Sequence, residues 1–463
     1  MPPSHVARHV AESSTASPGW SRLQLNTPIH RSQQLLISIL MLLVPRPPPP
    51  HTLALLLFLA YFLLVLVDVR HHSWRDPGSV FFDSENAFER QYSLLRETEA
   101  ENFIQNLDEN VSYQKAGPEP SLCVGITTVQ REGARYFRRA LGSVLADLTE
   151  TERSDIFIMP FIVNPNPTEH QAYNEDWLFP LSDEVLTYAF ATEEVKARLQ
   201  EITADGSDIR RKALFDYIYL LRACHEKDTE WIIMLEDDTV AAEGWYYRTK
   251  KGLEDLVGKR DFGQTVYLRL FYNERLLGWN GEEIWTYAIR IVFVEIALLA
   301  VLVALARYLP PAAGILTART IATICFIIAP MLIVLYFAAG RLTVAGPSRG
   351  INRMDSYGCC SQAFVFPRSR VPGLSTWYES NADGYLDPVT HADKTQIDSL
   401  TEIYATEKGL TRYALTPSVF QHVGGMSTKP TSITRWGRSN AENIWNFSFE
   451  VLKKEDLEKQ HVG

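Results

Sequence analysis

Three long apolar segments constrain this chain more than any other feature. Thr52 to Val67 is almost unbroken Leu, Ala, Phe and Val, Ile291 to Ala306 carries one acidic residue, Glu295, and Ile321 to Ala339 is interrupted by Pro330. Each is close to the roughly 20 residues that cross a bilayer as a helix. An earlier run, Leu35 to Val44, is too short and stops at Pro45. The first long segment lies far from the start and has no clean small-residue cleavage site, so it reads as an uncleaved anchor rather than a signal peptide. The second and third are joined by Leu309-Pro310-Pro311-Ala312-Ala313-Gly314. That spacing predicts a membrane hairpin; the alternative is a pair of buried core helices. A hairpin returns the chain to the side it left, so the polar stretches around it share one compartment and can form one domain.

Charge narrows the partners. A net charge of -10 over 463 residues argues against a nucleic-acid partner. Arg8, Arg22, Arg31 and Arg46 precede the anchor with only Glu12 opposing them, which fits a cytoplasmic start. Arg307 and Arg319 at the hairpin tip agree, although Arg290 and Arg341 flank its other ends. The polar bulk is then lumenal, and the sequons Asn110-Val111-Ser112 and Asn446-Phe447-Ser448 add modest support. Cys325 lies inside the third apolar segment, whereas Cys123, Cys224, Cys359 and Cys360 fall where disulfides persist. Their pairing is open. Adjacent cysteines rarely bond each other, so Cys359 and Cys360 are each expected to reach a distant partner; free buried thiols are the alternative.

Along the chain, 1–50 reads as a disordered cytoplasmic tail, 51–69 as the anchor and 70–118 as a lumenal stem, helical near Asn86 to Asn106. Residues 119–287 and 341–430 read as the two parts of one domain around the hairpin at 288–340, with a C-terminal tail at 431–463. Strands are expected at Leu122 to Val129, Asp155 to Val163, Trp231 to Leu235, Val266 to Tyr272 and Gln362 to Phe366. Helices are expected at Ala134 to Leu148, Ile209 to His225 and Thr395 to Lys408, with a final segment at Thr411 to Val423. Such alternation implies an α/β fold with a mostly parallel sheet covered by helices.

The chemistry concentrates in Glu236-Asp237-Asp238, at the carboxyl end of the apolar strand Trp231-Ile232-Ile233-Met234-Leu235. Open α/β sheets place ligands there. Clustered carboxylates suit Mg²⁺ or Mn²⁺, which in turn holds a diphosphate. A solvated acidic turn is the plain alternative.

The run Val124-Gly125-Ile126-Thr127-Thr128-Val129-Gln130-Arg131-Glu132, the triplet, and Pro417-Ser418-Val419-Phe420-Gln421-His422-Val423-Gly424 occur here in the order found in a group of Golgi glycosyltransferases. The chain resembles the GPI-anchor N-acetylgalactosamine transferase family (post-GPI-attachment proteins), which is related to N-acetylglucosaminyltransferase IV. The resemblance covers roughly 50–430, and the hairpin inserted within the catalytic domain is its specific part. It implies a GT-A-type, Rossmann-like domain, a UDP-sugar donor, Mn²⁺ (or Mg²⁺), a GPI-anchored protein or GPI glycolipid as acceptor, and a multi-pass Golgi membrane location.

By that likeness Asp238 and His422 ligate the metal, with Glu236 or Asp237 assisting. Thr127, Thr128 and Arg131 are placed where such enzymes hold the nucleoside and phosphates; Arg131 otherwise reads as a surface arginine. Lys212 and Asp216 are placed near the uridine, or form an ordinary i,i+4 salt bridge. Inverting transfer needs a base for the acceptor hydroxyl; Asp383 is the first candidate and Asp387 the second. Trp279, Trp377 and Tyr378 are candidate sugar platforms, although core packing is the commoner use. The remaining alternatives are an N-glycan N-acetylglucosaminyltransferase and a non-catalytic lectin-like membrane protein.

Overall fold

The computed structural model describes residues 49–107, 113–131, 133–204, 209–354, 358–382, 385–386, 393–394, 396–425 and 444–461. The chain divides into two compact units. One holds residues up to Tyr61 together with Ala297–Ile328, and its described residues are mainly apolar helix. The other holds Phe62–Ile296 and Ala329 onward, and contains every strand among the described residues.

The strands are β1 (Leu122–Thr128), β2 (Ile156–Ile162), β3 (Leu186–Thr187), β4 (Trp231–Glu236), β5 (Thr239–Ala241), β6 (Thr265–Arg269), β7 (Gly350–Arg353), β8 (Ala363–Pro367), β9 (Tyr385–Leu386), β10 (Asp393–Lys394), β11 (Thr411–Thr416) and β12 (Phe420–His422). Eight form one sheet in the order β3-β2-β1-β4-β8-β6-β11-β7, while β5 pairs with β12 and β9 with β10. The sheet is mixed: β3, β2, β1, β4, β6 and β11 run one way, as a mostly parallel sheet requires, and two strands run against them. β8 runs antiparallel between β4 and β6, and β7 antiparallel against β11.

The pleat sorts the β4 run into two cores. Ile233 and Leu235 join one layer with Phe137, Leu141, Val144, Leu253 and Leu256. Ile232 and Met234 join the other with Leu214, Tyr217, Leu220 and Leu221. A strand covered on both faces must be apolar at successive positions, which is why its sequence does not alternate. The second layer is set close to β1: a side chain at Gly125 would begin 2.9 Å from Leu220. Helix Ile209–His225 carries that layer and is tied to β1 by the Cys123–Cys224 disulfide. Cys359 bonds Cys360, against the expectation of distant partners. Cys360 has φ +91°, and Arg269 takes the carbonyls of both cysteines, so the chain is held turned where the two side chains meet.

Helix Tyr92–Gln105 packs on helix Tyr136–Leu145. A Cβ at Gly142 would stand 2.7 Å from the Ala100 carbonyl, so only glycine permits this approach. Near the C-terminus Trp445, Phe447 and Phe449 are buried. Asn446 between them is fully buried; its Nδ2 donates to the Tyr272 carbonyl at 3.1 Å. That sequon is closed to a glycan in the folded state, and Asn110 lies outside the described residues.

Among the described residues three helices are long and apolar enough to cross a membrane: one over His51–Ser73, one ending at Tyr308 and one over Ala318–Ala338. The last contains a π-helical turn, Ile324–Ile328, just before Pro330. Proline offers no N–H to the preceding turn, and widening the helix there absorbs the missing bond. In chain order the second and third helices fall between β6 and β7. Their ends in the sheet-bearing unit share one collar. Trp279 packs on Tyr287, Tyr336 and Phe337, Ser79 Oγ donates to the Ala338 carbonyl, and buried Asp76 accepts from the Thr343 N–H and hydroxyl.

Candidate active site

β4 ends at Glu236 and β5 begins at Thr239, so the acidic triplet turns the corner between two sheets. Its members go to different surroundings. Glu236 accepts from Ser361 Oγ at 2.5 Å and from Gln362 Nε2 at 3.4 Å. Asp237 points inward and accepts from Thr128 Oγ1 at 2.7 Å and Arg131 Nη1 at 2.5 Å. Burial pushes the Asp237 carboxyl up, and Arg131 pulls it back only in part.

Asp238 meets His422. β5 and β12 pair antiparallel with Thr239 opposite His422, and the Val423 N–H donates to the Asp238 carbonyl at 2.8 Å. This register brings His422 Nε2 to 3.4 Å from Asp238 Oδ2. His422 Nδ1 lies 3.2 Å from the Ile444 carbonyl, which only accepts, so Nδ1 carries a proton. Nε2 then faces a carboxylate oxygen as a second acceptor unless a cation or a further proton stands between them. Burial lowers the His422 pKa, and the facing Asp238 carboxylate more than restores it.

Two ligands about 2.1 Å from an octahedral ion sit about 3 Å apart when adjacent, so this pair fits one Mg²⁺-like ion. A Cβ at Gly424 would fall 2.5 Å from Asp238 Oδ2, so glycine keeps that approach open. Among the described residues no group of three or more His, Cys, Asp or Glu side chains is placed to hold a metal.

Thr127, Thr128, Arg131, Asp216, Glu236 and Asp237 line one cavity of about 120 Å³. Lys212 bonds two of its lining residues, with Nζ 2.8 Å from both Asp216 oxygens and 3.0 Å from the Val163 carbonyl. The i,i+4 pair expected as an alternative is therefore real, and Asp216 also faces the cavity. Tyr188 donates to Asp216 at 2.5 Å, yet burial still raises this carboxyl. Arg131 is no surface arginine: its guanidinium is committed to Asp237 and lies 5.4 Å from the centre of the Tyr136 ring.

Of the aromatic candidates, Tyr378 is fully buried against Thr401, and Trp377 Nε1 donates to Glu407. Trp279 belongs to the collar and lines a cavity of about 570 Å³ with Arg275, Arg341, Arg353 and Cys359. None of the three lines the 120 Å³ cavity. Asp383 and Asp387 lie outside the described residues.

Other site residues gave no sequence signal. Ala172 N–H donates to His170 Nδ1, so Nε2 carries the ring proton and gives it to Thr128 Oγ1, whose hydroxyl in turn serves Asp237. Burial lowers His170 to about 4, keeping it neutral in this chain. Fully buried Arg269 bonds the Gly358, Cys359 and Cys360 carbonyls and Glu402, fixing the turn that delivers Ser361 to Glu236.

A search of curated proteins finds no match. The family model for GPI-N-acetylgalactosamine transferase PGAP4 matches residues 122–421, running from the first residue of β1 to the residue before His422. That span takes in the triplet, the Thr128–Arg131 loop, both apolar helices between β6 and β7, and the β5–β12 pair as far as Gln421. The chain belongs to the GPI-N-acetylgalactosamine transferase PGAP4 family, and is a glycosyltransferase of the kind that acts on GPI anchors.

Proposed function

We propose that this chain transfers N-acetylgalactosamine, or another N-acetylhexosamine, from a UDP-sugar to the GPI glycan, in a metal-dependent, inverting reaction on a GT-A-type domain. The observation that carries the reading is the β5–β12 register, which sets the Asp238 carboxylate 3.4 Å from the His422 imidazole at the carboxyl end of β4. Mn²⁺ or Mg²⁺ bound there would supply Lewis-acid stabilisation of the departing diphosphate. Asp238 and His422 would hold the ion, and the Ile444 carbonyl would keep the His422 lone pair aimed at it. Glu236, steadied by Ser361 and Gln362, would orient metal-bound water or a donor hydroxyl. Asp237 is an internal anchor for Arg131 and Thr128 rather than a ligand. The 120 Å³ cavity, lined by Asp216 with Lys212 bonded to it, would take the uridine end. Asp383, with Asp387 second, remains the proposed base, on sequence alone.

The acceptor side is proposed at the 570 Å³ cavity beside the collar. Three apolar helices reach that collar, so a membrane hairpin there would hold the cleft at the height of a lipid-borne glycan and raise its local concentration. A lumenal Golgi setting suits the Cys123–Cys224 disulfide. The test is donor screening with purified protein, metal supplied or chelated, and Asp238→Ala alongside. Metal-dependent UDP release that is lost in the variant supports the proposal; release indifferent to both chelation and substitution refutes it.

A further inference from the structure

A third cavity, of about 610 Å³, lies between helix Trp245–Val257, the start of β7, the end of β11 and the C-terminal segment Val451–Leu457. β11 runs parallel to β6 and β4 runs the same way, so Thr416 at the mouth is at the same end of the sheet as Glu236. Arg349 enters the mouth a few residues after helix Arg341–Ala345, on the return from the third apolar helix.

The lining is apolar at Leu415 and Leu452 and cationic at Arg248, Arg349 and Lys453. Two acids also line it, but each has a lysine partner: Asp255 pairs with Lys251 at 3.3 Å and Asp456 with Lys459 at 3.5 Å. No ion pair reaches Arg248, Arg349 or Lys453 among the described residues. Arg248 is the telling member. Its Nη2 donates to the Pro417 carbonyl at 2.6 Å, while Nη1 is buried with no hydrogen-bond partner among the described residues. Burial, with a smaller push from neighbouring Arg349, lowers its pKa to about 10, so it is a charged group held beside a like charge. A buried guanidinium nitrogen without a partner is costly unless an acceptor arrives from outside.

We propose that this cavity binds a phosphate ester, with Arg248 Nη1 as the buried donor and Arg349 and Lys453 as the outer cations. Guanidinium groups match phosphate oxygens in charge and in donor geometry, and the apolar walls suit the group the phosphate carries. Lipid headgroups and small soluble phosphates share this chemistry. The claim is independent of the donor assignment, because none of these residues lines the 120 Å³ cavity.

The test is titration calorimetry on the full chain in neutral detergent with EDTA, so that no metal–diphosphate site contributes. The probes are inorganic phosphate and dihexanoyl phosphatidylinositol. Wild type should bind, and R349A/K453A should bind roughly tenfold or more weakly, both side chains being exposed and free to change without unfolding. Arg248→Lys keeps a charge but loses the fork, and should weaken binding while leaving Tm nearly unchanged. Phosphatidylinositol binding roughly tenfold tighter than phosphate assigns a lipid headgroup; equal affinities assign a small phosphate ester. Wild type binding neither probe, or R349A/K453A binding both as well as wild type, overturns the proposal.

Discussion

Two cavities at one end of the same sheet treat charge in opposite ways. Around the 120 Å³ cavity every described carboxylate is held: Asp216 by Lys212 and Tyr188, Asp237 by Arg131 and Thr128, Glu236 by Ser361 and Gln362. Around the 610 Å³ cavity the cations Arg248, Arg349 and Lys453 stand without counter-charges among the described residues. Held charges are pre-positioned and cost little reorganisation when a ligand arrives. Unheld charges await an external partner. The first arrangement is suited to chemistry and the second to capture.

The largest effect belongs to Asp238→Ala, which should reduce sugar transfer on the order of 1,000-fold by removing charge stabilisation at the diphosphate, read as UDP release under saturating metal. Near-normal turnover would remove Asp238 from the site. Next is Arg131→Met, which strands the buried Asp237 carboxylate and should cost about 3–5 kcal/mol in urea unfolding. Adding Asp237→Asn to that variant should recover a substantial part, since the stranded charge is then gone; no recovery would mean that Arg131 acts by packing alone.

A smaller effect has a pH sign. Burial and neighbouring Asp147 together raise the Glu243 carboxyl to about 7 against the pull of Arg96. The folded state thus holds a proton that the unfolded chain releases above its ordinary range near 4.5. The stabilisation is full below that range and is lost as pH rises through 7. Glu243→Gln should flatten this dependence, by about 1 kcal/mol between pH 5 and 7.5 after solvent screening. An unchanged pH slope in thermal melts would contradict the assignment. Smallest of all, Arg349→Ala should change unfolding free energy by no more than about 0.5 kcal/mol, because it removes no favourable pair. A larger loss would show that the second cavity's cations are structural after all.

Much of the fold was legible because its signals are local. Helix Ile209–His225 ends where its sequence predicts, and β2, β6 and β8 each lie within a few residues of their apolar runs. The mixed sheet was not legible, since nothing within Ala363–Pro367 tells an apolar strand which way to run between its neighbours. At the site, the convergence of Asp238 and His422 was visible through the family resemblance and not through spacing. Separate directions for adjacent Asp237 and Asp238 were invisible, because both lie in the turn between β4 and β5, where no strand alternation says which way each side chain points. His170 and Arg269 act through tertiary contacts with Thr128 and the Cys359–Cys360 turn, and neither carries a motif. Fusing Cys359 to Cys360 required a left-handed backbone at Cys360 that residue type does not announce.

The most direct test of the central claim is Mn²⁺ binding itself, followed by electron paramagnetic resonance with and without UDP. Wild type should bind Mn²⁺ more tightly when UDP is present. Asp238→Asn and His422→Gln should each weaken binding by roughly tenfold to a hundredfold. Equal Mn²⁺ affinity in wild type and both variants would contradict it.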